Sequence, residues 1–198
     1  IGTMAFQNCA ALTSVTFRKN VREIGQQAFA GCTSLSTLKL PDGLETLGTY
    51  AFQNCTALMS VLVSKNAVLS DVRAQVFAGC TNLEEFSVMS GSTRFAAEDG
   101  ILYGTENGSK VSLLLIPNRA NLTGYTIPAG VKEIASGAFS AREDVTSIDL
   151  GGVERIGAEA FASAEHSDGN EQDLVQALRA SPAFVPELSL VAEENGSL

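Results

Sequence analysis

Four cysteines and one histidine are the residues in this chain best suited to chemistry: Cys9, Cys32, Cys55, Cys80 and His166. A cysteine nucleophile needs a base within reach of its thiol, and the sole imidazole lies far down the chain from all four. A zinc site needs ligands converging on one point, ordinarily as closely spaced cysteine pairs. Here the cysteines recur at intervals of 23, 23 and 25 residues, which makes a row rather than a tetrahedron. Disulfides between neighbours in such a row are just within reach at ~5 Å between Cα atoms. Parallel, inward-pointing side chains work against them, and buried reduced thiols are the reading that remains. Glu98 and Asp99 lack the carboxylate spacing of a calcium loop. The triplets Asn54-Cys55-Thr56, Asn107-Gly108-Ser109, Asn121-Leu122-Thr123 and Asn195-Gly196-Ser197 match a glycosylation pattern that is frequent by chance. Neither a phosphate-binding glycine loop nor a Ser/His/Asp set can be assembled. The expectation is a chain that is not an enzyme, with no cofactor and no metal.

The elements that position the cysteines are visible once the chain is laid over itself. "AFQNCAAL" at 5–12, "AFAGCTSL" at 28–35, "AFQNCTAL" at 51–58 and "VFAGCTNL" at 76–83 are one octet written four times. From each closing Leu the pattern runs apolar-x-x-apolar-x-apolar, as in Leu35, Leu38, Leu40 and Leu58, Val61, Val63. Its L-x-L centre has the two-residue period of a strand with one buried face. A second apolar pair follows, three apart and often trailed by Gly, as in Leu44, Leu47, Gly48. One strand and one irregular return per ~23 residues is the length of a solenoid coil. Later units around Ala138-Phe139 and Ala160-Phe161 keep the register but carry Arg142 and Ala164 where Cys stood.

Two stretches interrupt the period. Residues 90–121 place "FAAEDGILY" and "KVSLLLIPN" on either side of "GTENGS", which reads as a β-hairpin excursion. Residues 162–184 contain a helical detour with Asn170 as cap, Leu174, Val175 and Leu178 on one face, and Pro182 as its stop. A final strand is expected over 185–191. The whole of 1–198 reads as one repeat domain, and the first residues, "IGTMAFQNC", read as mid-repeat, as in a piece of a longer chain.

Each coil cannot bury its apolar side alone, so stacking must set Leu on Leu, Phe on Phe and Cys on Cys. Cysteine suits this place because it is small, behaves as an apolar group and donates weakly through sulfur. The octet recurs because every coil must present the same shape to the next.

The stretch "LSTLKLPDGLETLGTYAFQNCTAL" at 35–58 resembles the BspA-like leucine-rich repeat. "EDGILY", "LLLIP" and "YTIPAGVKEIASGAF" are similar to interrupted units of that family. The resemblance implies an α/β repeat solenoid, a curved right-handed superhelix with a parallel β-sheet on its concave face and short helical or irregular turns on its convex face. It also implies a protein-binding or adhesion module, extracellular or at a bacterial cell surface, with a host, matrix or other surface protein as partner. A structural or regulatory module within a larger intracellular protein is the alternative.

Composition narrows the partners. A net charge of −9 disfavours nucleic acid and anionic membranes, and no apolar run reaches the ~20 residues of a membrane span. If seven strands form the face, the outward side chains include Ser14, Thr16, Arg18, Thr37, Lys39, Ser60, Leu62, Ser64, Glu85, Ser87, Met89, Thr126, Ser147, Asp149, Glu187 and Ser189. Arg18, Thr37, Lys39, Leu62, Glu85, Ser87, Met89, Thr126 and Asp149 are the candidate partner-binding residues, with Leu62 and Met89 as apolar anchors. The same Ser and Thr residues also suit any solvated strand. The hairpin tip at Thr105–Gly108 is a second candidate, or a tolerated excursion.

Overall fold

The structure, a computed structural model, describes residues 1–69, 74–123, 125–139, 142, 145, 148–157 and 160–161. The helical detour at 162–184, the strand at 185–191, Ser147, Ala164 and His166 lie outside the described residues. In chain order the strands are β1 (Glu23–Ile24), β2 (Thr37–Lys39), β3 (Thr46–Leu47), β4 (Ser60–Val63) and β5 (Glu85–Val88). β6 (Phe95–Glu98), β7 (Ile101–Glu106), β8 (Ser109–Leu115), β9 (Glu133–Ile134) and β10 (Arg155–Ile156) complete them. They form a β-solenoid of about five turns.

Each regular coil contributes one strand from its L-x-L centre and one from its I-G segment. The first set pairs in parallel as β2–β4–β5, and the second as β1–β3. The glycine of the I-G segment follows from this stacking. A Cβ on Gly48 would overlap the main chain of Gln26 one coil back, so only hydrogen fits.

The returns are chains of single turns, and among the described residues the one helical segment is a turn of 3₁₀ helix at Ala74–Phe77. Alternate N–H groups explain this. In the second coil Ala28, Ala30 and Cys32 donate to carbonyls three residues earlier at 3.1–3.2 Å. Gln27, Phe29 and Gly31 donate instead to Thr49, Ala51 and Gln53 of the next coil at 3.1, 2.7 and 2.8 Å. A continuous helix would claim both sets for itself. Left-handed backbone enforces the break just before Ala-Phe, at Met4, Gln27 and Tyr50, and just before Cys, at Asn8, Gly31, Asn54 and Gly79. The Asn/Gly alternation of the octets is thus a choice between the two residue types that best tolerate positive φ.

The phenylalanines form a stacked spine. Ring centroids of Phe6–Phe29, Phe29–Phe52 and Phe52–Phe77 lie 5.0, 5.2 and 5.6 Å apart with interplanar angles of 11° or less. Phe139 and Phe161 repeat the contact at 4.9 Å. Phe and the inward Leu residues define a first core running from Ile24 to Leu115.

Residues 95–115 fold as an antiparallel meander. "FAAEDGILY", read above as one extended run, is two strands, β6 and β7, folded about Asp99-Gly100. Both turn residues have positive φ, as do Asn107 and Gly108 between β7 and β8. Asp-Gly and Asn-Gly at such places are the pairs that two-residue hairpins demand. β8 then pairs in parallel with β9, and β9 with β10, so the meander and the I-G strands of the later coils form one five-stranded sheet, separate from β1–β3. β7 serves two cores. Leu102 joins the first, while Ile101 and Tyr103 join a second that contains Ile127, Ile134 and Phe139. A register shift between Leu102 and Tyr103 lets Leu113 follow the second core and Leu115 the first.

Candidate functional site

The cysteine row is a structural seam. Cys32, Cys55 and Cys80 are fully buried, and each thiol donates to the carbonyl of Phe6, Phe29 or Phe52 in the preceding coil at 3.3, 3.3 and 3.1 Å. All four cysteines are free. Burial pushes the Cys32 thiol up to about 11, with Cys55 and Cys9 adding charge repulsion. Cys80 is pushed up too, first by its hydrogen bond with Cys55 and then by burial. The hydrogen bond with Cys80 instead pulls the Cys55 thiol down against its burial, so what Cys32, Cys55 and Cys80 share is the lack of solvent access, which makes all three poor nucleophiles. Cys9 corrects the expectation of four buried thiols: it is exposed, because within this chain no coil stacks on its outer side. Arg142 occupies the cysteine place of a later coil and keeps the logic, donating to the Pro117 and Ala120 carbonyls at 2.7 and 2.6 Å. Among the described residues no group of His, Cys, Asp or Glu could hold a metal ion, and no helix is long and apolar enough to cross a membrane.

The outward side of β2–β4–β5 brings five of the candidates together. Parallel register aligns Thr37 with Ser60 and Glu85, and Lys39 with Leu62 and Ser87. Thr37, Lys39 and Glu85 are exposed, and Ser60, Leu62 and Ser87 half-buried. Leu38, Val61 and Phe86 point the other way into the core. Met89 follows β5 directly, its N–H donating to the Val63 carbonyl at 2.9 Å, and both expected apolar anchors, Leu62 and Met89, are half-buried rather than exposed. Arg18 is exposed on the first coil, outside the paired strands. Ser64, expected outward, is buried and donates to the Leu40 carbonyl at 2.6 Å, since it closes the turn after β4.

Thr126 and Asp149 are exposed and face each other in a parallel bridge of their own. The expected continuous seven-strand face is therefore divided. The Phe86 N–H of β5 donates to the Gly100 carbonyl at 2.8 Å, so the turn between β6 and β7 closes the edge where a fourth L-x-L strand would pair. Glu187 and Ser189 lie outside the described residues.

Met59, 47% exposed at the bend just before β4, is an apolar group that periodicity missed. It sits beside Ser36 and Glu84, bonded to both through the main chain at 2.9 Å. Its signal was present: it follows the buried Leu58, at the x-x bend where the strand alternation has not begun.

The meander adds a second feature. Tyr103 and Tyr125 share a hydrogen bond at 2.7 Å, and burial pushes both phenols up. Lys110 lies over the Tyr103 ring, 4.9 Å from its centre, and pairs with Glu98. These contacts tie the hairpin to the following coil and leave its tip, Glu106 to Ser109, in solvent.

Parallel strands, one-residue-wide stacked rings and a repeating return define a leucine-rich repeat solenoid. The sequence pattern of the BspA type Leucine rich repeat region matches six copies here, over residues 1–106 and 116–176, and the chain belongs to that family. Solved structures agree on the fold. A leucine-rich repeat protein from Eubacterium ventriosum is 24% identical over 81% of this chain, with a TM-score of 0.60. A leucine rich cell surface protein from Faecalibacterium prausnitzii is 23% identical over 81%, with a TM-score of 0.54. The pneumococcal vaccine antigen PcpA is 26% identical over 71%, with a TM-score of 0.52. The chain spans just under half of these relatives, covering 48%, 47% and 40% of their lengths. No curated protein matches it.

Proposed function

We propose that this chain is a non-enzymatic protein-binding module, one repeat domain of a secreted or surface-anchored bacterial protein, and that it meets a host, matrix or surface protein through the β2–β4–β5 face. The observation that carries the reading is the register of that face. It fixes Thr37, Lys39, Leu62, Glu85 and Ser87 on a rigid ladder whose main chain is already paired, leaving side chains free for a partner. The cell-surface description of the Faecalibacterium relative supports the location. Thr126 and Asp149 then act, if at all, as a separate patch.

The test is partner capture on immobilised protein from a set of extracellular matrix proteins. Leu62→Glu combined with Met89→Lys abolishes capture while melting is unchanged. Retained capture moves the site to the hairpin, where Asn107-Gly108 projects from β7 and β8 into solvent.

A further inference from the structure

Charge is unevenly spread along this molecule. Residues 1–69 hold five Lys and Arg against three Asp and Glu, and residues 70–198 hold eight against nineteen. The cations of the first stretch are also gathered in space. The N–H groups of Val21, Leu44 and Ala67 donate to the carbonyls of Arg18, Pro41 and Ser64 at 3.1, 3.3 and 3.1 Å, so the same turn follows the L-x-L segment of three successive coils. The second place of each turn holds Lys19, Asp42 or Lys65, all exposed. Coils repeat at ~4.8 Å, which sets the main chains at Lys19 and Lys65 ~9.6 Å apart along one edge. Arg18 opens the first turn and Lys39 precedes the second, both exposed. The Arg22 guanidinium reaches the same edge beside Gly43, where it meets Glu45. Arg18, Lys19, Lys39 and Lys65 have no ion-pair partner among the described residues.

We infer that this edge binds a linear polyanionic polysaccharide, one with sulfate or phosphate groups along its length, laid across the first three coils. The inference goes beyond the protein partner of the β2–β4–β5 face and does not depend on it. What surrounds the cations selects the ligand. The large apolar side chains exposed among the described residues are Met4, Phe6 and Met59. Met4 and Phe6 lie on the first return and Met59 at the far end of β4, so the edge offers a protein no exposed apolar anchor. With no exposed ring beside the cations, a nucleic acid gains no base stacking there. Lysines on successive turns project singly into solvent, where a flexible charged polymer can adjust its groups to them. The acid surplus of residues 70–198 repels the same polymer and so directs it to this edge. Asp42, between Lys19 and Lys65, holds the affinity down.

The probes are fluorescent heparin, for sulfate, and fluorescent poly(glycerol phosphate), for phosphate. Binding is read by anisotropy at low salt, where attraction between charges is least screened. The parent protein binds, the polymer held more tightly identifies the anion, and binding fades as salt rises. Lys19→Glu and Lys65→Glu each weaken it about tenfold, and Asp42→Asn strengthens it about threefold. Arg155→Glu, which changes the net charge equally in a later coil, leaves it within about twofold. All four variants are surface changes and are compared at an unchanged melting temperature. Four results overturn the proposal: no binding of either polymer, Lys19 and Lys65 variants without effect, an equal loss in Arg155→Glu, or tighter binding of a single-stranded oligonucleotide of equal charge. Leu62 and Met89 are untouched throughout, so any of these results leaves partner capture by the β2–β4–β5 face to be judged by its own test.

Discussion

The Cys55 thiol donates to the carbonyl of Phe29, one coil back, at 3.3 Å. This one bond joins the cysteine row to the ring spine, since the Phe29 ring itself stacks 5.2 Å from Phe52. The same bond recurs from Cys32 to Phe6 and from Cys80 to Phe52. The buried cysteine of the second, third and fourth octets ties its coil to the one before.

Cys55→Ser should therefore destabilise the protein by about 1–3 kcal/mol. A hydroxyl is more costly to bury than a thiol, and its shorter bond leaves it farther from the Phe29 carbonyl. Urea unfolding measures this; an unchanged midpoint would show that the thiol is only a filler.

Thiol labelling in native buffer should modify Cys9 at once and leave Cys32, Cys55 and Cys80 until the protein unfolds, because only Cys9 is exposed. Alkaline titration adds a sign. Cys32 loses its proton at about 11 in the fold against an ordinary 9.0. Its contribution to stability is complete below pH 9.0 and is lost as pH rises towards about 11, because the unfolded chain releases the proton first. Denaturant midpoints between those pH values should fall in the parent and fall less in Cys32→Ala.

Gly79→Ala should cost more than about 1 kcal/mol, since its φ is +72° and a methyl there would overlap the Asn54 side chain. Asn54→Gly removes the overlap but not the backbone strain. The pair should therefore show a partial rescue in a double-mutant cycle, and strict additivity would exclude contact between these residues.

Leu102→Ala and Leu113→Ala should each cost about 2–5 kcal/mol as buried truncations, yet in different places. Hydrogen exchange should loosen first around Phe77 and Phe86 in the former and around Ile127 and Ile134 in the latter. Identical protection maps would mean that the two cores open as one.

The period was legible because each coil solves one packing problem and must solve it again with the same residue types. Leu38, Val61 and Phe86 point inward where alternation places them, and the Phe spine follows from a spacing read directly off the chain. What periodicity could not show is where the repeat is deliberately broken. The Asp99-Gly100 turn was hidden inside a β-prone run. Its carbonyl closes the β5 edge and separates Thr126 and Asp149 from the other candidates. Ser64 and Met59 were misjudged or missed for the same local reason: both sit at bends, where a two-residue alternation assigns no side. Cys9 departs because burial in a stack depends on having a neighbour, which composition alone cannot supply.

The double allegiance of β7 constrains how its stretch of sequence can change over generations. Ile101 and Tyr103 serve one interior and Leu102 the other. A single codon gained within the strand would exchange them wholesale, putting a phenol where a leucine belongs. An odd number of added residues there needs a compensating bulge like the one already opposite Leu102 and Tyr103, whereas the tip around Asn107-Gly108 stands in solvent, where added residues displace neither interior.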